Sequence, residues 1–226
     1  MARKERKKMN KNLLTATLII SAFMALVPNL VWANITQNGS FETGPAGDRF
    51  VRLYNGSTAL SGWTVVPGQN ATDGSIDYIT SLWQASDGTR SLDLSGKLAG
   101  GIMQNLITTP GTTYQVQFDI AANPDGPPIE KTLWVSVDNG SQQQGFNFDA
   151  TGNSRENMGW STMYWSFVAQ SDITALAFKT SISDYGPALD NVFVEAGPSP
   201  VPAPGAILLG FIGVGLVNFI KRHRVL

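Results

Sequence analysis

The sequence predicts an all-β fold, a β-sandwich of jelly-roll type over residues 34–197. Three observations predict it. Short segments alternate apolar and polar side chains with the period of two that a half-buried strand needs. Clusters of Gly, Pro, Asn and Asp separate these segments at strand-length intervals. No long stretch carries the 3.6-residue apolar period of a helix. Ten or eleven short strands at such spacing fit a sandwich or jelly roll rather than a parallel sheet.

The candidate strands, in order, are 50–54, 62–66, 75–79, 90–94, 101–107, 114–120, 133–137, 146–148, 163–168, 173–178 and 189–194. The sixth is the clearest. Tyr114, Val116, Phe118 and Ile120 share one face, and Gln115, Gln117 and Asp119 the other. The seventh, Leu133-Trp-Val-Ser-Val137, runs into Asp138-Asn-Gly140, a tight-hairpin signal. The loops follow turn chemistry, as in Asn123-Pro-Asp-Gly-Pro-Pro128. No internal repeat is visible. A domain of about 160 residues buries some two-thirds of its chain surface.

Charge divides the 226-residue chain into three parts. Arg3, Lys4, Arg6, Lys7, Lys8 and Lys11 crowd the start, and Lys221, Arg222 and Arg224 the end. Between Asn34 and Gly197 stand 7 basic and 16 acidic residues, a net charge of −9. Such a domain lacks the cations that neutralise phosphates, so nucleic acid is excluded as a partner. There is no cysteine, and the one histidine, His223, lies in the basic tail. Thiol nucleophiles, Ser-His-Asp triads and His or Cys zinc sites are thereby excluded from the middle.

The first 33 residues read as a signal peptide. A basic cluster precedes the apolar run Leu13–Val27, and Val31-Trp-Ala33 places cleavage between Ala33 and Asn34. An uncleaved anchor is the alternative. At the other end, a Pro-rich linker over 198–204 leads into a tail over 205–226. The apolar stretch Ala206–Ile220 would rise only about 22 Å as a helix, short of the ~30 Å hydrocarbon core. It spans only if flanking residues join and the basic end snorkels. The order Val201-Pro202-Ala203-Pro204, short Gly-rich apolar segment and basic end resembles the PEP-CTERM sorting signals of Gram-negative bacteria, with Ala203 in place of the usual Glu. The resemblance implies an exosortase-type processing enzyme. It also implies membrane anchoring through the tail before processing, and a cell-surface or extracellular product afterwards. An ordinary tail anchor is the alternative.

Within the middle, Asn38-Gly-Ser-Phe-Glu42, Gly62-Trp-Thr-Val65, Ser75-Ile-Asp-Tyr78, Ser91-Leu-Asp-Leu-Ser-Gly96, Gly100-Gly-Ile-Met-Gln104 and Gly186-Pro-Ala-Leu-Asp-Asn-Val192 resemble the choice-of-anchor C family. That resemblance implies a galactose-binding-like jelly roll related to carbohydrate-binding modules. It also implies juxtaposed first and last strands, where Glu42 and Asp190 would share a structural Ca²⁺. Calcium takes six to eight oxygens, so two carboxylates supply only part of a shell. The alternative is that each carboxylate hydrogen-bonds turn backbone.

Sugar rings stack on flat aromatics, while amides and carboxylates bind their hydroxyls. Tyr78, Trp83, Asp87 and Arg90, in or beside loops, are therefore the candidate ligand rim. Trp134 and Trp165 lie in strands whose neighbours are apolar too, which leaves their facing open between core and platform. No nucleophile motif, phosphate loop or metal-binding helix is present. The expected function is an exported, non-catalytic polysaccharide binder. A structural matrix or adhesion protein is the alternative, with a glycoside hydrolase third.

Overall fold

The computed structural model describes residues 33–197. The expectations for the signal helix, the linker with Val201, Pro202, Ala203 and Pro204, and the apolar tail helix lie outside these residues. Among the described residues, no helix is long and apolar enough to cross a membrane.

All eleven expected strands form. They are β1 (Phe50–Tyr54), β2 (Thr64–Pro67), β3 (Ser75–Ile79), β4 (Ser91–Asp93), β5 (Gly100–Ile107), β6 (Thr113–Ala122), β7 (Glu130–Val137), β8 (Gln142–Asp149), β9 (Ser161–Val168), β10 (Ile173–Lys179) and β11 (Pro187–Ala196). They pair antiparallel into a six-stranded sheet, β1-β3-β4-β11-β6-β9, and a five-stranded sheet, β2-β5-β10-β7-β8. The Asp138-Asn-Gly turn joins β7 to β8, and all three residues take positive φ.

The alternation seen in the sequence builds the core between the sheets. Leu53, Ile76, Leu92, Val116, Phe118, Ile120, Leu189 and Val194 enter from one sheet. Val65, Ile102, Leu106, Leu133, Val135, Leu176 and Phe178 enter from the other. Phe118 meets Phe178 edge-on, with ring centroids 5.2 Å apart, a favoured aromatic geometry. Lys131 also points inward and is buried, and its ammonium donates to the Gly126 carbonyl (2.8 Å). Burial lowers its pKa, and the charge of Asp93 opposes that shift.

The opening segment is seated on the closing strand. The Ile35 amide donates to the Val194 carbonyl (2.8 Å), and the Val192 amide to the Gly39 carbonyl (2.9 Å). Any Cβ at position 39 would overlap the Val192 carbonyl oxygen, so only glycine fits there. The start and end of the domain thus lie side by side.

A second, smaller apolar cluster sits on the outer face of the six-stranded sheet. Ile79, Ala121 and Ala188 face outward, and Trp83 and Met158 from two loops cover them. The two alanines leave room for the large side chains above.

Candidate functional site

Glu42 and Asp190 both accept hydrogen bonds from one loop, residues 86–90. Asp190 Oδ2 accepts the Ser86 and Asp87 amides (2.8 and 3.0 Å), and its Oδ1 accepts that of Asn191 (2.7 Å). Glu42 Oε1 accepts the Thr89 and Arg90 amides (2.7 and 2.8 Å), and its Oε2 accepts the Thr89 hydroxyl (2.9 Å). Asp119 completes the arrangement, accepting from Ser86 Oγ (2.5 Å) and Thr162 Oγ1 (2.6 Å). Burial alone would raise the Glu42 pKa, but the bonds from Thr89 and Arg90 hold it below the usual range. Burial pushes Asp190 up to about 7, against the pull of the Asp87, Asn191 and Ser86 amides.

A cation needs oxygen ligands turned toward it, whereas both carboxylates here face N–H and O–H donors. Among the described residues, no group of three or more His, Cys, Asp or Glu is placed to hold a metal. The donor set as it stands does not fit a shared calcium shell. It matches the alternative reading, in which both carboxylates fasten turn backbone.

The expected ligand rim does not assemble. Tyr78 is buried, and its hydroxyl donates to the Phe41 carbonyl (2.8 Å), fixing the opening segment from beneath. Trp83 is buried, and its indole N–H donates to Ser91 Oγ (2.9 Å). A buried Tyr or Trp keeps a partner for its polar tip, and both find one inside the fold. Trp63 is buried as well, with its indole N–H on the Asn38 carbonyl (3.1 Å). Only Asp87 is exposed, while the half-buried Arg90 is tied to the Thr80 carbonyl (2.5 Å).

The five-stranded sheet places Trp134 on its outer face. Cross-strand register runs Val66, Gly101, Lys179, Trp134, Gly145 in one row. Two glycines shape that row. A Cβ at Gly145 would lie 3.2 Å from the indole Cη2 and Cζ3 atoms, so the Trp134 ring leans over the bare backbone of β8. A Cβ at Gly101 would lie 2.8 Å from Lys179 Cγ, so the lysine stem lies over β5. The indole is half-buried, edged along its own strand by Thr132 and Ser136 and across β8 by Gln143 and Asn147. Gln69, from the loop after β2, reaches Gln143 (3.4 Å), bringing that loop together with the far edge strand. The result is a flat aromatic plate set among hydroxyls and amides.

Gly145, Lys179, Ser136 and Gln143 were not singled out by the sequence. One signal was available: Thr132 and Ser136 share the parity of Trp134, opposite to Leu133, Val135 and Val137. Trp165 turns the other way and packs against the core beside Phe167.

A family model described as "Protein of unknown function (DUF642)" matches residues 34–195. Halomucin from Haloquadratum walsbyi is 28% identical over 196 residues, which is 84% of this chain and 2% of halomucin. The chain therefore spans a small fraction of that relative's length. Among solved structures, a family 35 carbohydrate binding module from Clostridium thermocellum is similar at TM-score 0.43 and 14% identity, over 64% of this chain and 97% of the module. The CBM22-1 xylan-binding domain from Paenibacillus barcinonensis is similar at TM-score 0.41 and 16% identity, over 68% and 97%.

Proposed function

The chain belongs to the DUF642 family of proteins of unknown function, and from the geometry of its outer faces we propose that it is a non-catalytic domain that binds polysaccharide. The observation that carries this reading is Trp134. A half-buried indole leaning over Gly145, edged by hydroxyl and amide groups, matches a sugar ring. Pyranose C–H faces are apolar, whereas their edges carry hydroxyls that both donate and accept. An open sheet face suits an extended chain better than a small molecule, which seeks a concave pocket.

The sequence pattern at the two ends supports an exported protein, processed by an exosortase-type enzyme and released or retained at the cell surface. The membrane is then a partner only through the tail, before processing. Retention of the full chain on insoluble polysaccharides, together with a glycan array, tests the binding claim. Retention on at least one glycan is expected, and none on any glycan overturns it.

A structural matrix or adhesion protein is the second reading. Burial of Trp63 and Trp83 favours it, because two of the tryptophans that a sugar platform could use serve packing instead.

A further inference from the structure

On the opposite side of the molecule, the outer face of the six-stranded sheet holds a cavity of about 230 Å³. Its floor comes from one cross-strand row, Arg52, Asp77 and Asp93, on β1, β3 and β4. Arg52 grips Asp77 through two bonds (2.8 Å each), and Asn123 donates to Asp93 (2.8 Å). The floor is thus a fixed array of guanidinium, carboxylate and amide groups, each oriented by a neighbour.

Two aromatic rings stand at the mouth. Phe50 is 41% exposed, with the Arg52 guanidinium over its ring, and Tyr185 is 42% exposed. Tyr185 is costly to hold there. It has φ of 44° and follows Asp184 at 53°, two successive non-glycine residues in left-handed conformation. Such a conformation is strained for a residue with a Cβ and persists where its surroundings over-determine it. Gly126 supplies that constraint: its bare backbone lies against the Tyr185 ring, and any Cβ there would overlap it. The strained conformation does not serve burial, since much of the ring remains in water. It presents an aromatic wall beside a preformed polar floor.

We propose that this cavity binds a single terminal sugar unit, a glycan chain end, as a second carbohydrate site on the sheet opposite Trp134. This deepens the polysaccharide-binding reading and rests on it. The volume lies below the roughly 300–1,000 Å³ of pockets for drug-sized ligands, which suits one ring and not a chain. The floor fits a polyol: Asp77 accepts from hydroxyls, while Arg52 and Asn123 donate to them. Tyr185 and Phe50 meet the C–H faces. With an extended chain on one sheet and a chain end on the other, one domain bridges two polysaccharide strands without a dimer.

The test uses the full chain, with a panel of methyl glycosides of neutral hexoses and pentoses as probes in saturation-transfer NMR. Wild type and Trp134→Ala are expected to show transfer to at least one glycoside, and Tyr185→Ala and Phe50→Ala to lose it. Thermal melts accompany each variant, and exposed Phe50 provides a change that leaves the fold intact. Absence of transfer to every glycoside in wild type overturns the proposal, as does transfer that survives both Tyr185→Ala and Phe50→Ala. Polymer retention separates the two sites. Its loss in Trp134→Ala alone, with glycoside transfer intact, is expected. Retention without any glycoside transfer defeats the cavity and leaves the Trp134 face standing, whereas glycoside transfer without retention defeats the face alone.

Discussion

Glu42 and Asp190 hold the two ends of one loop: Glu42 binds the amides of Thr89 and Arg90, and Asp190 those of Ser86 and Asp87. One carboxylate comes from the opening segment and one from the closing strand. The loop therefore reports whether the domain is closed. Asp190→Ala leaves three amides, those of Ser86, Asp87 and Asn191, without their acceptor, at about 1–3 kcal/mol for each group left unsatisfied. A lower urea midpoint and faster hydrogen exchange at Ser86 and Asp87 are expected. Because the donors are N–H groups, chelator is expected to leave the melting temperature unchanged. A calcium-dependent rise would show that the loop instead turns carbonyl oxygens inward.

Acid–base behaviour follows from two buried carboxyls. Burial pushes Asp93 up to about 7, with Asn123, Ser95 and Gly186 opposing the shift and Asp77 adding to it. Asp190 is likewise raised to about 7. Both ionise at about pH 4 in the unfolded chain. Between those values the folded state holds more protons, so stability falls as pH rises from about 4 to about 7 and levels off above. Glu42, held below its usual range, works in the opposite sense and loses its contribution only as pH falls through its own lower pKa. Urea midpoints across pH 4–8 check this, and Asp93→Asn is expected to flatten the slope.

Tyr78→Phe removes the hydroxyl that binds the Phe41 carbonyl, and Gly39→Ala drives a Cβ into the Val192 carbonyl. The first is expected to cost about 1–3 kcal/mol and the second at least ~1–3 kcal/mol as overpacking. Folded Tyr78→Phe protein is expected to bind glycan as wild type does. Loss of binding with an unchanged melt would return Tyr78 to the ligand site.

The strands were legible because each depends on local alternation and local turns. β1 and β3 match the sequence reading residue for residue, and Asp138-Asn-Gly140 forms its turn. The site was less legible, because facing depends on which strand lies alongside. Trp134 has apolar neighbours on both sides in sequence, and only the parity of Thr132 and Ser136 hints at the outward place that its pairing with Gly145 shows. Tyr78 and Trp83 sit in or beside loops in sequence, but Tyr78 belongs to the core between the sheets and Trp83 packs on Ile79, Ala121 and Ala188 of the outer cluster, so both are buried. The cavity is harder still, since Phe50, Asp77, Asn123 and Tyr185 come from four separate parts of the chain.

Sorting makes a separate prediction. On the proposed sorting route, processing near Pro202–Gly205 is expected to yield a mature surface protein that lacks His223 and the basic cluster. Mass spectrometry of the surface fraction is expected to find no peptide from residues 206–226. An intact C-terminal peptide in a membrane-embedded chain would establish an ordinary tail anchor.

The most direct measurement of the central claim is retention of full-length wild type, Trp134→Ala and Gly145→Val on a polysaccharide that the wild type binds. Removing the indole takes away the stacking plate, and a valine at 145 displaces the ring from β8 while keeping its chemistry. Both variants are expected to retain the wild-type melt within a few degrees and to lose at least tenfold in affinity, about 1.4 kcal/mol. Unchanged retention by folded Trp134→Ala protein would contradict the account.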